Sequence, residues 1–280
     1  MSTAVVAPVN PMLAESKDTV LQVMRRDRDN FTRLVSDPKN WLVETRCTGW
    51  QTRDLVGHMI DVMEGYFKNW DAALAGKDGT ALGLPVMGET LNDHALEFRN
   101  LPREEALERF KADAMKLDKM LDELTPEEWT SFLVYHPFAG PVPAGFYGTF
   151  QIMDYGVHPY DIEYGLGNKL AEIDETTAGI LIPYCHIIMQ YTVDQDSAKG
   201  VDCTYGIDVS GPWGGKWRAR VKDGQWQASP EDRNFEGCDA LFTFDTPQEE
   251  VLTHFGRFPG GAAQGDPAVI EKVRHLFFPF

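Results

Sequence analysis

The spacing of apolar residues along this 280-residue chain changes character near Lys199-Gly200. Before that point apolar residues recur at three- and four-residue steps, the mark of amphipathic helices. After it come "TYGIDVSG", "GKWRARVKDG", "QWQASP" and "DALFTFDT", short alternating stretches separated by Gly, Pro and Asp. Such stretches read as strands of an antiparallel sheet, with Lys222-Asp-Gly224 as the clearest hairpin signal. A helix buries a stripe and a strand buries alternate residues, so the two patterns predict two domains. The expected fold class is α plus α+β: a helical bundle over residues 1–199, then a small antiparallel-sheet domain with helices over 200–280.

The first helix is expected over 13–35, where Val20, Met24, Phe31, Leu34 and Val35 share a face. A second follows "CTGWQTRD", capped by a Thr or Gln, with Leu55, Met59, Val62, Met63, Tyr66 and Trp70 on one side. Residues 76–88 read as loop, and helical pattern resumes near Asn92. After Leu101-Pro102, a helix-start signal, Ala106, Leu107, Phe110, Ala114, Leu117, Met120 and Leu121 form another stripe. "YHPFAGPVPAG" carries three prolines and two glycines and reads as loop. Helices are then expected over 149–164 and 174–193, the latter kinked at Pro183. Residues 247–255 and 267–278 read as two further helices. The first 195 residues therefore describe a bundle.

The formal net charge is −17. That opposes nucleic acid or an anionic membrane as a general partner, because both require positive surface. The N-terminus lacks the positive region of a signal peptide, and no apolar run approaches the roughly 18 residues of a membrane span. The cytoplasm is the expected location. Cys47, Cys185, Cys203 and Cys238 are widely spaced without a CxxC pair, so they read as small buried hydrophobes.

Walker, GxGxxG, GxSxG and HExxH motifs are absent, which leaves histidine and carboxylate on helices as the carriers of chemistry. His58 falls on the apolar side of the second helix, as a core residue or a ligand. In "DYGVHPYD", Asp154 and His158 are neighbours at i and i+4, with Asp161 three residues on. The stretch fits half of a metal site and equally a helix start with polar caps. Two imidazoles and a carboxylate on facing bundle helices would leave an open metal position. His94 is placed near a pocket border, His136 in a loop and His186 in the core. Lys216, Arg218 and Arg220 alternate along one strand as a solvated face, and Trp213, Trp217 and Trp226 read as core of the small domain.

"TRCTGWQTRDLVGHMIDVMEGY" resembles the opening signature of the DinB-like, mycothiol-dependent maleylpyruvate isomerase family, T-x-C-x-G-W-x-x-x-D-L-V-x-H. The matching residues are Thr45, Cys47, Gly49, Trp50, Asp54, Leu55, Val56 and His58. A second family element, E-x-x-x-H-x-x-D-L, here reads Asp154-x-x-x-His158-x-x-Asp161-Ile162. The tail "HFGRFPGGAAQGDPAVIEKVRHLFFPF" is similar to the family's sterol-carrier-like C-terminal domain.

The resemblance implies a DinB-like four-helix bundle and metal ligands at His58, Asp154 and His158. It also implies a functional arginine at Arg257, with Asp161 as a possible orienting acceptor for His158. A divalent metal, zinc foremost, and a low-molecular-weight thiol such as mycothiol are the expected cofactors. The implied reaction is cis–trans isomerisation of an unsaturated acid, or S-transfer to an electrophile, on a small anionic or electrophilic substrate. Two alternatives stay open: a ligand-binding or carrier protein with a vestigial metal site, and a thiol-independent hydrolase, lyase or cyclase using metal-activated water.

Overall fold

The computed structural model describes residues 9–77, 79–169, 171–229 and 233–278. Residues 1–8, part of the stretch read above as lacking signal-peptide features, lie outside the described residues. Two compact units divide between Thr177 and Ala178.

The N-terminal unit holds helices α1 (Lys17–Ser36), α2 (Thr52–Leu74), α3 (Leu84–Glu97), α4 (Arg103–Asp122), α5 (Pro126–Ser131) and α6 (Phe146–Gly165). α1 packs along α6, and α2 along α4. Phe31 of α1 meets Phe110 of α4 edge-on at 5.4 Å, and Phe110 meets Tyr155 of α6 at 6.3 Å. Leu55, Met59 and Met63, one face of α2, are fully buried. These stripes form a bundle core because i, i+4 and i+7 share a helix face.

Three expectations for this unit change. α3 begins at Leu84, not near Asn92, because a proline in its first turn needs no intrahelical donor. The Pro-rich stretch is not plain loop but a two-stranded ribbon, β1 (Leu133–His136) and β2 (Gly140–Pro143). Its edges are solvent-tolerant, so Pro141 and Pro143 need not donate to a further strand, and Gly140 takes the positive φ of the turn (+83°). α6 starts three residues earlier than expected and runs unbroken through Pro159 to Gly165.

The C-terminal unit carries most of α7 (Glu175–Met189) and strands β3 (Cys203–Val209), β4 (Gly215–Lys222), β5 (Gln225–Ser229), β6 (Ala240–Phe244) and β7 (Ala262–Gly265). Helices α8 (Pro247–His254) and α9 (Pro267–Arg274) complete it. The sheet order is β5-β4-β3-β6-β7. Asp223 and Gly224 both have positive φ (53° and 74°), the tight hairpin turn that Lys222-Asp-Gly224 announced. The sheet is not wholly antiparallel: β6 returns beside β3 in parallel, with Ile207 opposite Phe242.

α7 belongs with this sheet, ahead of the periodicity change at residue 200. Gly179 lies so close to Trp213 that an added Cβ would come within 2.4 Å, and His186 meets Trp217 edge-on at 4.9 Å. Along β4, Lys216 and Arg220 are exposed while Trp217, Ala219 and Val221 are buried, as period-two alternation demands. The last helix ends at Arg274 rather than Phe278, and Phe277 instead bridges to Val193. No helix among the described residues is long and apolar enough to cross a membrane.

Candidate metal centre

The turn before α2 is built by its own sequence. Thr45 Oγ1 donates to the Trp50 carbonyl at 2.8 Å and accepts from the Cys47 amide at 3.2 Å. Gly49 takes a φ of +81°, which a side chain would disfavour. Asp54 accepts the Gln51 amide at 2.8 Å, closing the first turn of α2, and takes a two-pronged contact from Arg99 (2.8 and 2.6 Å). Arg99 is held charged by that carboxylate, which raises its pKa. The Thr45, Gly49 and Asp54 positions thus shape the backbone that delivers His58. Gly57 lets α2 come close to α3: an added Cβ would lie 2.7 Å from the Ala95 carbonyl and 2.8 Å from Phe98 Cβ.

α6 presents Gln151, Asp154, His158 and Asp161 at three- and four-residue steps, and all four are buried. His58 Nε2 lies 3.5 Å from Asp154 Oδ1, and His158 Nε2 lies 3.8 Å from the same oxygen. The two imidazoles stand perpendicular, centroids 5.5 Å apart. Side-chain donors from these three residues lie within 4.8 Å of one another. Two ligand atoms each about 2.1 Å from one ion at tetrahedral angles would be about 3.4 Å apart. The observed spacings are long for hydrogen bonds and close to that ligand edge, so the donor set fits a small divalent cation. Two nitrogens and one carboxylate oxygen suit zinc or another first-row ion.

Asp161 stands outside this donor set. Its Oδ2 is 2.8 Å from His158 Nδ1 and 3.2 Å from Cys47 Sγ. An ionised carboxylate only accepts, so His158 Nδ1 carries the proton and Nε2 keeps its lone pair toward Asp154. Asp161 thus holds the Nδ1 edge of the His158 ring, and its carboxylate, Cys47 and His158 form a second group of donor atoms within 4.8 Å of one another. Gln151 Nε2 approaches Asp154 Oδ2 at 3.4 Å. Trp50 covers His58, ring centroids 5.3 Å apart, while His58 Nδ1 is buried without a hydrogen-bond partner.

Sequence reasoning passed over Cys47 and Gln151. Cys47 was read as a buried hydrophobe, yet it is half-buried against Asp161. Gln151 had a signal, since it lies three residues before Asp154 on the same helical face. Arg257 lies in the C-terminal unit, half-buried, its Nη1 donating to the Phe255 carbonyl at 2.8 Å. His94 is half-exposed, 3.5 Å from Asp61. His136 packs on Phe150 at 5.0 Å, and burial pushes its pKa down to about 4.

Residues 24–163, half of the chain, match the family described as Mycothiol maleylpyruvate isomerase N-terminal domain. The chain belongs to this family. Its span runs from α1 through Asp161 and takes in the whole donor cluster. The crystal structure of the mycothiol-dependent maleylpyruvate isomerase is similar in fold, with a TM-score of 0.59 and 17% identity over 89% of this chain and 94% of that one. A histidine-to-alanine mutant of that isomerase gives the same score at 16% identity. The likeness covers both units of this maleylpyruvate isomerase family member and establishes the mixed α and α+β architecture. The colibactin self-resistance protein ClbS, in complex with a dsDNA, covers 55% of the chain at 14% identity and a TM-score of 0.47. The expectation of no nucleic-acid partner rests on the net charge of −17 alone. No curated protein matches the sequence.

Proposed function

We propose that this protein is a metal-dependent enzyme that uses a low-molecular-weight thiol of the mycothiol type. Its reaction would be cis–trans isomerisation of an unsaturated acid or S-transfer to a small electrophile, in the cytoplasm. The observation that carries the reading is the buried convergence of His58, Asp154 and His158, with His158 fixed by Asp161. When bound, a divalent cation supplies a positive centre that favours the deprotonated, nucleophilic form of a thiol.

The chain's own residues do the rest. Asp161 holds His158 in one tautomer. Gln151 steadies the second oxygen of Asp154. Trp50 lies against His58 and limits the water that reaches it. Arg257 is proposed, on the family resemblance, to hold a substrate or cofactor carboxylate. In the isomerisation, a thiolate sulfur bonds to one carbon of the cis double bond and its electrons move into the conjugated carbonyl. The resulting single bond rotates, the sulfur–carbon bond breaks, and the thiolate is returned with the trans acid.

The test combines elemental analysis of the full chain with turnover of maleylpyruvate, each with and without added mycothiol. Stoichiometric divalent metal, lost in His58→Ala, and turnover that needs the thiol are expected. Metal content unchanged in His58→Ala, or equal turnover without thiol, would overturn the reading.

A further inference from the structure

The C-terminal unit contains a cavity of about 310 Å³, separate from the donor cluster on α2 and α6. Its walls are mainly aromatic and aliphatic, from β3, β6 and the segment after α9, with Phe242, Phe244 and Phe277 among them. Alternation along β3 explains this: Tyr205 and Ile207 are buried on the face that also carries Phe242 and Phe244 opposite their neighbours. A volume of this size lies in the range of small-molecule sites, which pair apolar walls with a few placed polar groups.

The polar groups are unequally placed. Glu250 lines the cavity yet is only 5% exposed, so it marks the floor. Its Oε1 is 3.1 Å from His186 Nε2, whereas its Oε2 is buried with no hydrogen-bond partner. A buried carboxylate oxygen left unpaired is costly, and a ligand donor would remove that cost. His254 lies beside it, and burial pushes this imidazole down to about 4, so it adds no positive charge at neutral pH. Arg274, at the end of α9, also lines the cavity but is exposed, so it marks the mouth. The cavity is therefore mainly apolar, with Thr192, Thr253 and His254 also on its wall, a buried hydrogen-bond acceptor on Glu250 and an exposed guanidinium on Arg274.

We propose that this cavity binds a hydroxylated apolar carboxylic acid, its carboxylate on Arg274 and its hydroxyl donating to Glu250. The site lies wholly within the C-terminal unit and stands whether or not the metal reading holds. A guanidinium recognises a carboxylate through two parallel hydrogen bonds. A site built around a ligand hydroxyl rejects the analogue that lacks it, because its own polar group is then left unpaired.

Titration calorimetry of the full chain with para-hydroxyphenylacetate, -propionate and -butyrate tests this and measures the span between the two ends. Saturable binding of at least one member is expected, at least tenfold weaker for the same acid without its hydroxyl. Arg274→Ala, an exposed substitution that spares the core, should weaken the acid at least tenfold and the corresponding amide less than twofold. His58→Ala should bind the acid as the unmutated chain does. No saturable binding across the series overturns the proposal. So does indifference to the hydroxyl or to Arg274→Ala. Loss of binding in His58→Ala would place the acid at the donor cluster instead and equally defeat it.

Discussion

At the scale of the residue, the second carboxylate of "DYGVHPYD", Asp161, holds its one histidine, His158, at 2.8 Å. Asp161→Asn replaces a pure acceptor with a group that can also donate to His158 Nδ1, and so loosens the tautomer. Metal affinity should fall about 10- to 100-fold, the usual effect of losing such a partner, as read by competition with a chromophoric chelator. Gln151→Leu should cost less, because its contact with Asp154 is long at 3.4 Å. Helical spacing left Asp154 and His158 open between caps and ligands, and the motif resemblance singled them out with His58; the structure brings the three side chains together. Cys47 was not legible, because its proximity to Asp161 depends on the fold of the turn before α2, which no local periodicity encodes. The unpaired oxygen of Glu250 was equally hidden, since pairing partners lie far apart in the chain.

At the scale of the element, α6 carries the heaviest demand. Gly156 sits between Asp154 and His158, and a Cβ there would meet Thr177 Cγ2 at 2.5 Å. Gly156→Ala should cost about 1–3 kcal/mol in urea unfolding, from overpacking that propensity cannot offset. Because the same helix bears Asp154 and His158, metal held by the proposed site should drop with stability. In contrast, Asp266→Ala removes only the cap that accepts the Ala268 amide at 2.8 Å. It should cost about 1 kcal/mol and leave metal content unchanged. Long helices were readable because a stripe of apolar residues repeats over several turns. The β1–β2 ribbon was not: four-residue strands containing Pro141 and Pro143 show no alternation to count, and their pairing is set by the turn at Gly140. The parallel placement of β6 beside β3 was likewise invisible, since a strand's sequence does not name its neighbour.

At the scale of the whole molecule, acid should weaken each unit through one histidine. Burial lowers His136 in the N-terminal unit and His254 in the C-terminal unit from 6.5 to about 4. The unfolded chain therefore binds more protons between those values, and stability falls as pH drops from about 6.5 toward 4. Above 6.5 the contribution is fully present. Each group is partly buried, so the loss should be on the order of 1 kcal/mol apiece. Thermal midpoints recorded across that window should slope less steeply in His136→Phe. Asp27 works the other way: burial raises its pKa, so its contribution is lost as pH rises through the folded value. The change of periodicity falls at residue 200, whereas the two compact units part between Thr177 and Ala178, inside α7. Its membership follows from packing against Trp213 and Trp217, not from its own helical pattern.

The donors come from two helices far apart in the chain, His58 on α2 and Asp154 with His158 on α6. An ion held by both would act as a removable cross-link, closing a long loop of the unfolded chain much as a disulfide does. Each doubling of such a loop adds only about 0.6 kcal/mol of closure entropy, so the length itself is tolerable. The consequence would be a chelator-sensitive clamp on the bundle. Stripping the ion should free α2 from α6 first and leave the C-terminal sheet's hydrogen-exchange protection intact.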